Sequence, residues 1–85
     1  MENRKINIEN EIYMSISDLY FETKHYFLAD QLDENLNFTD NYVFLLEEKE
    51  ENNINYELID DEKMKSILAK LFLPLIEKYK IDNSL

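Results

Sequence analysis

The clearest hydrophobic pattern lies in the last quarter of the chain, where apolar residues recur at the spacing of one helix face. Asp60 and Asp61 stand just before this run, and a carboxylate there can accept hydrogen bonds from the first backbone amides of a helix. We therefore predict a helix from about residue 61 to residue 80. We expect a kink or break at Pro74, which lacks an amide hydrogen. The apolar positions are Met64, Ile67, Leu68, Leu71, Leu75 and Tyr79.

A β-hairpin is predicted immediately before this helix. Residues 42–46 favour strand structure, and residues 53–58 alternate polar and apolar positions as a half-buried strand does. A charged run separates them, and Asn52-Asn53 suits a tight turn because asparagine tolerates positive φ. Two strands alone are marginally stable in water, so we expect helices to cover the hairpin.

The first third of the chain has two interpretations. Apolar residues from Ile12 to Leu28 fit one broad helical face, and neither glycine nor proline interrupts residues 9–34. The same stretch also fits two short, aromatic-rich strands at residues 11–16 and 25–29. We favour a single helix over about residues 10–33.

The predicted fold class is therefore α+β. We expect one small domain over residues 1–85 with the order helix–β-hairpin–helix (α-β-β-α), in which the helices cover the hairpin. Residues 1–9 and 81–85 are expected to be frayed termini.

Composition adds constraints on location. The chain has 85 residues with no cysteine, which suits a reducing compartment, and no glycine, so asparagines are expected at positions of positive φ. The first ten residues are polar, unlike a secretory signal, and no apolar run reaches the roughly 20 residues that a membrane helix needs. We expect a cytoplasmic protein of a bacterial cell or a phage-infected host, without membrane contact.

Enzyme signatures are missing from the sequence. The absence of glycine excludes glycine-rich phosphate loops, and a single histidine without cysteine excludes most nucleophile–base pairs. We interpret that histidine, His25, as a residue of the core edge or the surface. Residues 33–37 open like a calcium loop, but Phe38 stands where the loop needs glycine and the final glutamate is absent. We therefore predict no catalytic residue, metal site or cofactor.

The formal charge of −10 is unevenly distributed along the chain. Residues 6–62 carry sixteen acids and two bases, Lys24 and Lys49, a net of −14, whereas residues 63–85 carry five lysines and two acids, a net of +3, and residues 1–5 add +1. Phosphate repels such an acidic body, so direct nucleic-acid binding is not expected. The expected partner is a larger protein with a basic surface, such as a nuclease.

Nine acidic residues are the candidate partner-binding residues. Glu11, Asp18 and Glu22 share one face of the predicted first helix, with Asp18 and Glu22 about 6 Å apart along its axis, close to the spacing of successive phosphates on a nucleic-acid strand. Carboxylates spaced in this way can occupy a groove built for phosphates. The alternative is a solvated surface that only keeps the protein soluble. Four more acids project from the predicted hairpin tip and two lie at its base: Glu47, Glu48, Glu50, Glu51, Asp60 and Asp61.

Residues from about 40 to 80 resemble small acidic proteins of phages and mobile elements, including anti-CRISPR proteins that mimic nucleic acid. The resemblance lies in size, charge and a hairpin followed by Tyr56-Glu57-Leu58-Ile59-Asp60-Asp61 and a helix. The same stretch is similar to uncharacterised small acidic proteins of low-GC Gram-positive bacteria. The first resemblance implies an inhibitor of a nucleic-acid-binding protein, and no site residue is transferred by it.

Three functional hypotheses follow. The first is a non-enzymatic inhibitor that occupies a basic, nucleic-acid-binding groove of a larger protein. The second is an immunity protein or antitoxin that blocks a basic toxin. The third is an adaptor that forms a homodimer through the final helix, because apolar residues within 71–76 cover more than one helix face.

Overall fold

A computed structural model describes residues 3–83 of the chain, with side chains for residues 3–78. Five antiparallel strands form one sheet in the sequential order β1-β2-β3-β4-β5, and a single helix follows them. The elements are β1 (Lys5–Ile8), β2 (Glu11–Phe21), β3 (Lys24–Leu32), β4 (Phe38–Glu50), β5 (Asn53–Leu58) and α1 (Glu62–Asn83).

The predicted helix–β-hairpin–helix fold is wrong in its first half. The segment expected to be a helix over residues 10–33 forms β2 and β3, which pair with each other around a turn at Glu22-Thr23. The competing interpretation of two strands at 11–16 and 25–29 was closer, although both strands are longer than it proposed. The described residues form a curled five-stranded sheet with one helix.

Two features of the sheet explain why the helical pattern was misleading. A β-bulge shifts the register of β2 between Ser15 and Ser17, so the inward face changes from odd to even positions within one strand. In addition, β3 is buried on both faces from Tyr26 to Asp30, and a strand buried on both faces does not alternate. An interrupted alternation followed by a continuous apolar run resembles a broad helical face.

The sheet is covered differently on its two faces. On the inner face, the sheet curls toward closure, and all five strands contribute to a core built around Ile6, Phe27 and Leu45. On the outer face, Tyr26 and Leu28 pack against Leu68 and Phe72 of α1. The edge strands β1 and β5 approach each other, but no ladder joins them within the described residues. The fold is therefore an incompletely closed barrel with a helix packed on its outside.

The predicted final helix is confirmed. A hairpin precedes it as predicted, but its first strand, β4, is much longer than residues 42–46, and its turn lies at Glu51-Asn52 rather than Asn52-Asn53. The backbone amide of Met64 donates to the Asp61 carboxylate at 2.9 Å, so Asp61 is the N-cap. The aromatic rings of Phe44 and Phe72 stack with centroids 5.7 Å apart and join α1 to β4. The helix continues past Pro74 without the expected break.

The chain turns without glycine, and the expectation that asparagines supply the positive φ angles is mostly wrong. Two-residue turns place Glu9 and Asn10, and then Glu22 and Thr23, at positive φ. Asn10 is the one asparagine among the seven described residues with positive φ. These turns therefore carry backbone strain, most of all at β-branched Thr23 with φ of 67°.

The expected frayed termini also need correction. Residues 5–8 form β1, and the Ile6 side chain is only 5% exposed in the inner core. At the other terminus, α1 continues to Asn83. Met1, Glu2, Ser84 and Leu85 lie outside the described residues. No helix in the described part of the chain is both long and apolar enough to cross a membrane.

Candidate functional site

The nine predicted partner-binding acids do not form one surface. The β2–β3 and β4–β5 turns lie at one end of the sheet, here called the turn end, while α1 begins at the opposite end. Glu11 lies at the opposite end and accepts a hydrogen bond from Gln31 at 2.7 Å. Asp60 and Asp61 also lie there, next to the start of α1. The other six are on β2, β4 and their turns: Asp18, Glu22, Glu47, Glu48, Glu50 and Glu51.

Asp18 and Glu47 are not the exposed acids that the sequence predicted. Both side chains face the inside of the curled sheet, and that of Glu47 is only 6% exposed. The predicted helix face of Glu11, Asp18 and Glu22 does not exist, because all three lie on β2 or its turn. The strand register decides this outcome, and the register could not be read from spacing along the chain.

His25 bridges these two inward-facing acids. Its Nε2 is 2.6 Å from Asp18 Oδ2 on β2, and its Nδ1 is 3.0 Å from Glu47 Oε1 on β4. The Tyr20 ring stacks on the imidazole with centroids 4.2 Å apart. A carboxylate only accepts hydrogen bonds, so the ring satisfies both partners when it is the imidazolium and donates from both nitrogens. We call Asp18, His25 and Glu47 the histidine clamp.

A chain of hydrogen bonds extends the clamp to the two edge strands. The Tyr56 hydroxyl of β5 donates to Glu47 Oε2 at 3.4 Å and accepts from Arg4 Nη1 at 2.9 Å. Burial raises the pKa of Tyr56, an effect that the Arg4 charge and hydrogen bond oppose and the Glu47 carboxylate reinforces. The network has one residue on, or directly before, each of the five strands, so it fixes the positions of the strands relative to one another.

Three exposed acids form a compact group on one face of β4 and β5. Glu48 and Glu50 are two residues apart on one face of β4, and Glu57 lies on the same face of β5, diagonal to Glu48. A hydrogen bond with Glu57 and the charge of that carboxylate raise the pKa of Glu48, and Lys24 opposes the shift. We call Glu48, Glu50 and Glu57 the acidic row. Glu57 was not among the predicted site residues, although it was visible as the acid of an alternating strand.

Asp30 is a buried acid that the sequence analysis did not single out. Its side chain is fully buried, where Oδ1 accepts from Thr39 Oγ1 at 3.4 Å and Oδ2 accepts from the Asp40 amide at 3.3 Å. The register between β3 and β4 shifts beside it, between Asp30 and Leu32. Asp30 therefore holds the irregular β3–β4 connection in place.

The segment that opens like a calcium loop is a hydrogen-bonded turn. Asp33 Oδ1 accepts from the backbone amides of Asn35 at 2.8 Å and Asn37 at 2.9 Å, and the Asp33 carbonyl accepts from the Leu36 amide. Among the described residues, no group of three or more acidic, histidine or cysteine side chains is arranged to hold a metal ion.

The apolar positions proposed for helix-mediated dimerisation are mostly occupied by the sheet. Phe72 is fully buried, and Leu75 and Ile76 pack against the outer core. Leu71 and Leu73 are exposed, but positions two apart lie about 200° apart around a helix. They do not form one apolar stripe, which does not favour a dimer through α1.

No protein-family model, curated protein or solved structure matches this chain.

Proposed function

We propose that this chain is a non-enzymatic inhibitor whose acidic row occupies a basic, nucleic-acid-binding groove of a larger protein. The partner binds phosphates in its ordinary function, and the carboxylates take their place. We place this interaction in the cytoplasm of a bacterial cell or of a phage-infected host.

The observation that carries the proposal is the spacing of the acidic row. Neighbouring side chains on one strand face are separated by two residues, or roughly 7 Å, which places Glu48 and Glu50 at about the spacing of successive phosphates in a nucleic-acid strand. β4 holds both side chains on one face, and Glu57 widens the row across β5. The pKa of Glu48 is raised by a hydrogen bond with Glu57 and, after it, by the charge of that carboxylate, and a basic partner would relieve this repulsion.

The histidine clamp supports a binding protein more than a catalyst. Both carboxylates are engaged with the imidazole, and Glu47 also accepts from Tyr56. A general base needs an accessible side chain within hydrogen-bond reach of a substrate proton, and Glu47 is nearly inaccessible. The clamp is better suited to holding the sheet beneath the acidic row.

Affinity capture and competition test this proposal. Immobilised protein would be mixed with a nuclease-treated extract of the native host, and each captured protein would be purified and assayed for nucleic-acid binding. We expect a captured partner that binds DNA or RNA and loses that binding when this protein is added. A partner that binds duplex DNA and this protein simultaneously, without competition, would overturn the proposal. If the partner is a toxin, the protein is an immunity protein or antitoxin that acts through the same chemistry.

A further inference from the structure

A cleft opens where the two edge strands of the curled sheet end. β1 and β5 both run toward the end of the sheet at which α1 begins, and no ladder joins them within the described residues. A cleft of about 610 Å³, partly open to solvent, lies between Ile8 and Leu58, the last residues of these strands, and the start of α1. Small organic ligands are usually bound in clefts of roughly 300–1,000 Å³. The cleft is therefore large enough for such a ligand, and we call it the end cleft.

The walls of the end cleft are mainly apolar. Most of its lining side chains are aliphatic or aromatic, and each of these is half-buried rather than fully buried. Four of them also pack against the inner core: Ile8, Val43, Tyr56 and Leu58. The cleft therefore borders the inner core at the gap between the edge strands. An apolar ligand there would remove these side chains from water, which is favourable.

Charged side chains set the sign of charge that the end cleft favours. Glu9, Glu57 and Asp60 line it together with one base, Lys65, so three acids and one base give a net formal charge of −2. The Lys65 ammonium is 4.0 Å from Asp60 Oδ1 and 3.7 Å from Glu62 Oε1, so it is already shared between two acids. No lysine or arginine of the described residues forms an ion pair with Glu9 or Glu57. A positively charged group is therefore the complementary one.

We propose that the end cleft binds a small hydrophobic amine, a molecule with an aromatic or branched aliphatic body and one ammonium group. The body lies against the apolar walls, and the ammonium lies at the rim, where Glu9 and Glu57 attract it. An organic acid of the same shape would be repelled by these carboxylates. The inference goes beyond the proposed function and does not depend on it, because Glu57 is the one residue that the end cleft shares with the acidic row.

Methyl-detected NMR tests this binding directly. Protein labelled with ¹³C at isoleucine, leucine and valine methyl groups would be titrated with tryptamine and, in parallel, with indole-3-propionate, which carries a carboxylate on the same ring system. We expect tryptamine to shift the methyl signals of Ile8, Val43 and Leu58 in a saturable manner and to bind at least about tenfold more tightly than the acid. The methyl groups of Leu71 and Leu73, which are exposed but do not line the cleft, provide an internal reference.

A matched pair of variants tests the role of the rim charge. Glu9 and Glu22 are both exposed, and each is the first residue of a two-residue turn, with φ of 47° and 49°. Of the two, only Glu9 lines the end cleft. Either substitution to lysine adds two charges to −10, so both variants have a net charge of −8. We expect Glu9→Lys to weaken tryptamine binding by about fivefold and Glu22→Lys to leave it nearly unchanged, with circular dichroism confirming both folds.

Several distinct results would overturn the inference. An absence of shifts at the cleft methyl groups with millimolar tryptamine, or equal shifts at Leu71 and Leu73, would mean that the cleft is not a binding site. Equal binding of indole-3-propionate, or equal affinities of the Glu9→Lys and Glu22→Lys variants, would remove the requirement for an ammonium at this rim. Cleft signals that change with protein concentration alone would make a second copy of the chain the occupant. None of these results bears on the acidic-row proposal, which is tested with a protein partner.

Discussion

At the residue scale, the stability of the fold depends on the contacts of its single histidine, His25. His25 lies between carboxylates of the two neighbouring strands, with 16% of its side chain exposed. Sequence analysis placed it at the core edge or surface, which agrees with its partial burial. The carboxylates that contact it were predicted to be exposed binding residues, since nothing in the local sequence distinguishes Glu47 from Glu48. Only the strand register separates an inward acid from an outward one.

Replacing the histidine should destabilise the fold. His25→Ala leaves the Glu47 carboxylate with only Tyr56 and the distant Lys49 as partners, in a site where 6% of it is exposed. We expect a loss of about 2–3 kcal/mol in the free energy of unfolding, measured by urea denaturation. The control is Lys49→Ala, because its exposed ammonium is 3.8 Å from the same carboxylate and should contribute less than about 1 kcal/mol. Equal effects of the two substitutions would contradict the clamp.

The buried tyrosines should make the fold sensitive to alkali. Burial raises the pKa of Tyr56 and of Tyr13 in the folded state above the ordinary value near 10. Their contribution to stability is fully present below that ordinary value and is lost as the pH rises through the folded-state pKa. We expect the unfolding free energy to fall above about pH 10, and Tyr56→Phe to reduce that fall. A flat stability profile from neutral pH to alkaline unfolding would contradict this expectation.

At the element scale, regular segments could be predicted and irregular ones could not. The α1 helix has an N-cap and a recurring apolar spacing, and β5 alternates polar and apolar residues, so the helix and the presence of a hairpin were predicted correctly, although the first strand and the turn of that hairpin were not. The β2–β3 hairpin contains a bulge and a strand buried on both faces, and its turn uses Glu22-Thr23 rather than a residue typical of turns. Each of these features removes a signal that sequence reasoning depends on.

Residues that prefer positive φ should stabilise the protein when they are placed in the β2–β3 turn. Glu22 and Thr23 have φ of 49° and 67°, and an Asn-Gly pair adopts such a turn with little strain. We expect Glu22→Asn combined with Thr23→Gly to raise the unfolding free energy by about 1 kcal/mol or more, measured by thermal and urea denaturation. Asn35→Gly, in a turn where residue 35 does not have positive φ, should give no gain. Destabilisation by the Asn-Gly pair would contradict the assigned turn.

At the scale of the whole molecule, the net charge of −10 can be counted from the sequence, but which acids share a surface cannot. The fold sends Glu11, Asp60 and Asp61 to one end of the sheet and turns Asp18 and Glu47 inward. Glu48 and Glu50 remain together on the exposed face of β4 toward the turn end, and Lys24 and Lys49 are bases of the strands near them. The position of the acids on the surface, rather than the net charge of the whole chain, is therefore the property that mutations can test.

The oligomeric state is a second property of the whole molecule. Because α1 uses its main apolar side against the sheet, and the charge of −10 opposes self-association, we expect a monomer of 10.3 kDa. Sedimentation equilibrium over a range of protein and salt concentrations measures this mass. A stable dimer that Leu71→Lys or Leu73→Lys dissociates would support the adaptor hypothesis instead.

The affinity of matched charge-reversal variants for the captured partner tests the central claim most directly. One variant carries Glu48→Lys and Glu50→Lys in the acidic row, and the control carries Glu11→Lys and Glu34→Lys at the opposite end. Two reversals add four charges to −10, so both variants have a net charge of −6. We predict that the acidic-row variant binds about a hundredfold more weakly than the natural protein, whereas the control loses less than about fivefold. Equal losses in the two variants, or no loss in the acidic-row variant, would contradict the account.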